Sequence, residues 1–156
     1  MDNEKILIGW REWLALPDLG LPLIKAKIDT GARSSSLHVE QLEVIEDRDG
    51  KRAHFLVQPG TGVAAVAVSV PVVDVRAVTD SGGHTSQRPF IRTTLALAGR
   101  RWPIELNLTS RSNMLFPMLL GRTAMAGWLQ VDPQQSYLLG RPPAADADGA
   151  LPRPRR

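Results

Sequence analysis

A chain of 156 residues, 43% hydrophobic and 22% charged, is long enough for one domain with a real core and too short for two ordinary ones. No apolar run approaches the length of a bilayer span, and the absence of cysteine excludes disulfides, thiolate metal ligands and a cysteine nucleophile. The formal charge of +3 is spread thinly, with +1 in the last fifteen residues and +2 in the body, and aromatic residues make up only 5%, so nothing points to a nucleic-acid reader.

In chain order, the N-terminus MDNEKILIGWREW has no apolar core followed by a small-residue cleavage site, so no secretory signal is expected and the cytoplasm is the default compartment. Short strands separated by turn signals come next: KILIGW, LIKAKID, SLHV, QLEVIE, HFLVQ, the long run VAAVAVSVPVVDVRAV, PFIRTTLALA and WPIELNLT. EDRDGK, TDSGGH and LAGRRW each carry the Gly or Asp that a hairpin needs. After MLLG, ending at Gly121, the run RTAMAGWLQV lacks alternation and is rich in helix formers, which predicts a short helix. The final segment, PPAADADGALPRPRR, has too few large apolar side chains to offset its ordering entropy, so residues 142–156 are expected to be a disordered basic tail after a domain over 1–141.

The chemistry-bearing stretch is LIKAKIDTGARSSSLHV. Strand alternation puts Lys25, Lys27 and Asp29 on one face, and Ile24, Ala26 and Ile28 on the other. Thr30 can hydrogen-bond and Gly31 permits close backbone approach, so the turn can surround an ionised carboxylate with N–H groups and leave it poised to activate water. The three histidines, His38, His54 and His84, lack the spacing of a zinc helix, and no Gly-rich phosphate loop ending in Lys-Ser/Thr is present. Ser34, Ser35 and Ser36 lack a nucleophile elbow and are read as loop hydrogen-bonders. Trp10, Trp13, Trp102 and Trp128 are read as core and rim packing, because along the chain they are not interleaved with a basic stripe.

Asp29-Thr30-Gly31-Ala32 resembles the D-T-G-A signature of retropepsin-like aspartic proteases, and Met118-Leu119-Leu120-Gly121-Arg122 resembles that fold's second hallmark, an apolar-apolar-Gly strand entering a helix. The resemblance implies a mostly β, closed-barrel fold with one short C-terminal helix. In it the second hallmark would thread beside the aspartate turn, Thr30 would brace that turn, and the hairpin around Asp80-Ser81-Gly82-Gly83-His84 would form a flap. From about Gly9 to Leu139 the chain is also similar to a bacterial group catalogued as ATP-dependent zinc proteases, of RimB type, associated with the RimK ligase that adds glutamate tails to a ribosomal protein.

The resemblance implies an aspartic-type peptidase that trims glutamate tails and needs no cofactor. Asp29 would activate water with Thr30, Gly31, Lys27 and His84 around it; Lys25, Arg33, Arg92, Arg111 and Arg122 would bind substrate carboxylates; no residue is assigned to a metal. The expected partners are a glutamate-tailed ribosomal protein or another acidic peptide, and the RimK ligase itself, without membrane or direct nucleic-acid contact. The chain departs from retroviral enzymes at Arg33 and Arg122, two cations where those enzymes have an acid–arginine pair, and at Lys27, which stands where an apolar residue is usual. Asp80-Ser81-Gly82 is read as a hairpin turn and not a second catalytic loop. Two arrangements stay open: a two-fold dimer that joins two copies of Asp29, or a monomer assisted by Lys27 and His84. The rival functions are a non-catalytic domain that clamps acidic tails and a zinc-dependent peptidase.

Overall fold

The computed structural model describes residues 4–110 and 115–141. The fold is mostly β. Twelve strands run β1 (Ile6–Ile8), β2 (Arg11–Leu16), β3 (Leu21–Ile28), β4 (Ser35–His38), β5 (Glu40–Asp47), β6 (Gly50–Val57), β7 (Val66–Pro71), β8 (Asp74–Thr79), β9 (Thr85–Leu97), β10 (Arg100–Thr109), β11 (Met118–Leu120) and β12 (Leu129–Val131). One helix, α1 (Arg122–Met125), and a 3-10 turn at Pro17–Leu19 complete the described elements.

Six strands close on themselves in the order β10, β4, β11, β3, β2, β9, with β9 pairing back to β10. This ring is the closed architecture implied by the resemblance. Its inner face holds Leu14, Ile24, Ala26, Leu37, Ile91, Leu95, Leu106, Leu108, Met118 and Leu120, all essentially inaccessible to water. Each of the Leu, Ile and Met side chains among these stabilises the fold by roughly 1.5–3 kcal/mol relative to exposure, which is why the alternating apolar residues of these segments face inward. β5, β6 and β7 form a separate three-stranded sheet, which adds Ala53, Phe55, Val57 and Val68 to the core. β1 and β12 pair in parallel.

The three predicted hairpins stand at β5–β6, β8–β9 and β9–β10. Ala98 and Gly99 have φ of 53° and 77°, the left-handed pair that a two-residue hairpin turn requires. The predicted helix is confined to four residues, and Leu129–Val131 at its far end is a strand.

Two further features differ from expectation. REWLAL forms β2, although its pattern does not mark a strand in the sequence; Glu12 occupies an inward position there and breaks the alternation. VAAVAVSVPVVDVRAV is two strands in two sheets. After Pro71 the chain crosses over, Val72 N–H donating to Lys51 of the three-stranded sheet and Val73 N–H to Phe90 of the ring. The same step creates the β8–β9 hairpin that projects from the ring.

Glu12 is fully buried and accepts hydrogen bonds from the backbone N–H of Gly9 (2.7 Å), Leu138 (2.9 Å) and Leu139 (3.3 Å). Its carboxylate thus ties residues 138–139 to the start of β2, and its partners are backbone donors. Trp102 stacks on Trp128 with ring centres 4.3 Å apart and donates to the Ala124 carbonyl, so these two indoles are core packing. Among the described residues no helix is long and apolar enough to cross a membrane. The tail from 142 onward and Arg111 and Asn113 lie outside the described residues.

Candidate active site

The site is assembled by register. Arg11 pairs with Lys27, Lys27 with Leu119, Leu119 with Ser36, Ser36 with Asn107, and Asn107 with Phe90, one row across six strands. Cross-strand partners share a face. The next row, Glu12, Ala26, Met118, Leu37 and Leu108, faces the core, so this one faces out. Asp29 leaves the end of β3 two residues beyond Lys27.

The aspartate turn is fixed from both sides. Asp29 Oδ1 accepts the Gly31 N–H at 2.9 Å, and the Ala32 N–H closes the turn on the Asp29 carbonyl at 3.2 Å. The Asp29 N–H donates to Leu120 of β11 at 2.9 Å, and the Arg122 N–H donates to Ala32 at 2.8 Å. The Arg122 side chain donates to the Gly31 carbonyl, and Thr123 Oγ1 donates to the Arg33 carbonyl at 2.8 Å. Gly121 is what lets β11 pass so close, because a Cβ there would lie 2.5 Å from the Ser34 carbonyl oxygen and 2.9 Å from that of Ala32. Ser35 Oγ, at the start of β4, accepts the Gly121 N–H at 2.9 Å, so one of the three serines satisfies backbone at the β11–α1 junction.

Asp29 is half-buried. Among the described residues it has no ion-pair partner, and its Oδ2 receives no hydrogen bond. It opens into a cleft of about 810 Å³ roofed by residues 77–81 of the β8–β9 hairpin. Lys27, Arg33 and Arg88 are the cations of the lining, and Ser36, Asn107 and Thr109 are neutral groups on the floor. Trp10, Phe116 and Leu119 supply its apolar wall, with Trp10 and Phe116 edge to face at 6.0 Å.

The remaining predicted residues divide between this cleft and its surroundings. Lys27 and Arg33 line it. Lys27 is exposed and makes no ion pair with Asp29. Thr30, within the turn, is exposed and makes no hydrogen bond among the described residues, so the brace expected of it is supplied instead by Arg122 from behind the turn. His84 stands at the hairpin tip with its side chain 85% exposed and Nδ1 3.5 Å from Asp80. Lys25 lies on the outer face of β3, over the rings of Trp13 and Tyr137. Arg92 reaches Glu105 at 3.4 Å.

Asp80 also borders the cleft, as the cap of the hairpin tip. Its Oδ1 accepts the N–H groups of Gly82 (2.9 Å) and His84 (3.0 Å), and its own N–H donates to the His84 carbonyl. At the base of the hairpin, Arg76 bridges Asp74 (2.7 Å) and Glu105 (2.9 Å). Its hydrogen bonds hold both carboxyl groups below their ordinary range, and both acids in turn raise the guanidinium.

Arg88 is not marked by the sequence, and Asn107, expected from the sequence only to serve backbone hydrogen bonds, does more. Arg88 is 7% exposed and donates to Asn107 Oδ1 at 2.9 Å and to Ser86 Oγ at 3.2 Å. Asn107 is fully buried; it also accepts from Ser36 Oγ and donates to the Ser35 carbonyl at 2.9 Å. A guanidinium two residues before the buried Phe90, on the same face of β9, was the available signal. Among the described residues no three of His, Asp and Glu stand close enough to share a metal ion.

The likeness to known proteins agrees with this geometry. The family described as RimB-like, Retropepsin-like aspartic endopeptidase RimB, matches residues 7–142. Proteins named probable alpha-L-glutamate ligase are 43% identical over 140 residues in Parasynechococcus marenigrum and 41% over 142 residues in Desulfotalea psychrophila. Those matches cover 88% and 89% of this chain, which spans only 30% of either relative. The crystal structure of Lpg0085, a Legionella pneumophila protein of unknown function, superposes with a TM-score of 0.72 at 28% identity, covering 87% of this chain and 99% of that one. The D-T-G turn, the Gly121 crossing and the match across nearly the whole described domain make this chain a member of the RimB-like family of retropepsin-like aspartic endopeptidases.

Proposed function

We propose that this domain is an aspartic-type peptidase that trims glutamate-rich tails, of a ribosomal protein or a similar acidic chain, with Asp29 activating the hydrolytic water. The observation that carries this reading is the state of Asp29: one oxygen pinned by Gly31, the other open to a cleft whose other ionic walls include Lys27, Arg33 and Arg88. A carboxylate so held can take a proton from water as its oxygen attacks the peptide carbonyl, and can pass that proton to the leaving amine. Lys27 and Arg33 supply charge for substrate carboxylates, because both line the cleft and neither is in an ion pair among the described residues.

Aspartic chemistry uses a second carboxylate. Asp80 caps the hairpin tip, and in this reading the second group is another copy of Asp29 brought across a two-fold axis, the alternative being a monomer in which Lys27 and His84 assist a single Asp29. The exposed Thr30 and the 95% exposed Leu115 leave that side of the site open to such a copy. Wild type and Asp29→Asn, incubated with a glutamate-tailed protein and followed by mass, test the reading. Loss of glutamates with wild type alone is expected, whereas equal trimming by both variants removes Asp29 from the mechanism. Light scattering of the same samples gives the subunit count.

A second reading is favoured by the relatives' name. In them the matching region is under a third of a protein named as a glutamate ligase, so the domain can instead hold an acidic tail for a ligase without cutting it. That reading gives salt-sensitive binding with no change of mass.

A further inference from the structure

The outer face of β2 and β3 carries an arrangement that the cleft does not use. The Arg11 guanidinium lies 4.5 Å from the centre of the Trp10 ring and 4.9 Å from that of Tyr137. Lys25 Nζ lies 5.2 Å from Trp13 and 6.0 Å from Tyr137, and the Arg141 guanidinium lies 4.7 Å from Trp13. Trp13 and Tyr137 are themselves 6.0 Å apart. Residues distant along the chain thus form a ladder of alternating cations and rings.

Among the described residues none of Arg11, Lys25, Lys27 or Arg141 is in an ion pair, and the Nε of Arg11 is buried without a hydrogen-bond partner. This contrasts with Arg76 and Arg92, which reach Glu105. Ring faces orient the cations without neutralising them. The ladder meets the cleft at Trp10, which belongs to both, and at Lys27 of the cleft, the register partner of Arg11, just as Trp13 is that of Lys25.

We propose that Arg11, Lys25 and Arg141, set on Trp10, Trp13 and Tyr137, form a second binding track that takes the acidic side chains of an extended peptide leaving the cleft past Lys27. The spacing fits. Alternate residues of a strand repeat every ~6.8 Å, so Lys25 stands about 14 Å from Asp29, the span of four residues of an extended peptide. Such a peptide with acidic residues at alternate positions matches the lysines in register, and Arg141 continues the series. A single-stranded nucleic acid fits less well, because the rings a base would stack on are already faced by the protein's own cations. The track takes its occupant from the acidic-tail reading above, and makes the domain prefer long tails to short ones.

The test uses the full chain carrying Asp29→Asn, so that binding is read without turnover, with labelled oligoglutamates of about three and about ten residues followed by anisotropy. The longer peptide is expected to bind about tenfold more tightly, an advantage that shrinks with salt. Lys25→Gln with Arg141→Gln should bring the ratio of the two affinities close to one, while Lys25→Arg with wild-type Arg141 should keep it. Equal affinity for both lengths in the parent, or a ratio unmoved by the double substitution, overturns the proposal. So does displacement of the long peptide by oligouridylate at lower concentration than by oligoglutamate. If the otherwise unaltered protein leaves the long peptide's mass unchanged while the length dependence persists, the track stands and hydrolysis is what fails.

Discussion

Two tripeptides of nearly the same chemistry, Asp29-Thr30-Gly31 and Asp80-Ser81-Gly82, fold into nearly the same local turn. In each, the aspartate Oδ1 accepts the glycine N–H at 2.9 Å. They differ in what lies around them. The Asp80 turn is bonded to itself, with His84 N–H on the same oxygen and a backbone pair closing the tip. The Asp29 turn is bonded to elements some ninety residues later in sequence, through Leu120 of β11 and Arg122 and Thr123 of α1. The motif builds an Asx-type turn, and tertiary clamping turns one copy into a fixed, cleft-facing carboxylate.

The sharpest break in this comparison is Asp29→Asn against Asp80→Asn. The first should lower turnover by a thousandfold or more, on the order of what a general base contributes, while the second should leave most of it; single-turnover mass kinetics would show both. Next is the clamp itself. Gly121→Ala forces a Cβ against backbone atoms of Ser34 and Ala32, so we expect a loss of about 3 kcal/mol in urea unfolding, with activity falling even where the protein stays folded. Asp80→Ala removes the acceptor of two exposed tip N–H groups; about 1 kcal/mol of local stability should disappear, seen as faster amide exchange at 82–84 with an unchanged unfolding midpoint.

The smallest effect is on pH. Because Arg76 lowers the carboxyl groups of Asp74 and Glu105, their contribution is complete above the ordinary carboxylate range and is lost as pH falls through the lowered values. Amide exchange in β8, each rate divided by its intrinsic rate at that pH, should therefore be level from neutrality down to about pH 4.5 and quicken below it. Quickening that starts near pH 6 would point to a histidine instead.

The sequence makes local features plain and registers opaque. The aspartate turn, the three hairpins and the Gly121 crossing are written within a few residues each, and all are present. β2 is hidden because Glu12, facing inward to cap backbone groups, inverts the polar–apolar pattern that marks a strand. The split of the long valine-rich run at Pro71 is a matter of which sheet each half joins, a choice made by long-range packing. Arg88 and Asn107 meet across β9 and β10, and Trp13 meets Arg141 from the other end of the chain, so no spacing rule reveals either pair. Reading the indoles along the chain alone missed that Trp10 and Trp13 are interleaved with cations in space, whereas for Trp102 and Trp128 the packing role is what the structure has.

The thirteen-residue length of β9 has a mechanical consequence. Its first half pairs with β8 and its second with β10, so the roof of the cleft and the wall of the ring are one continuous rod. The rod changes partners at Phe90, next to Pro89, which has no N–H to give the ladder. That is a pivot, and the Arg76–Glu105 contact is a catch spanning it. Raising the hairpin to admit a chain therefore means bending at one proline and releasing two guanidinium groups, Arg76 from Glu105 and Arg88 from Asn107, while the ring beneath keeps its shape.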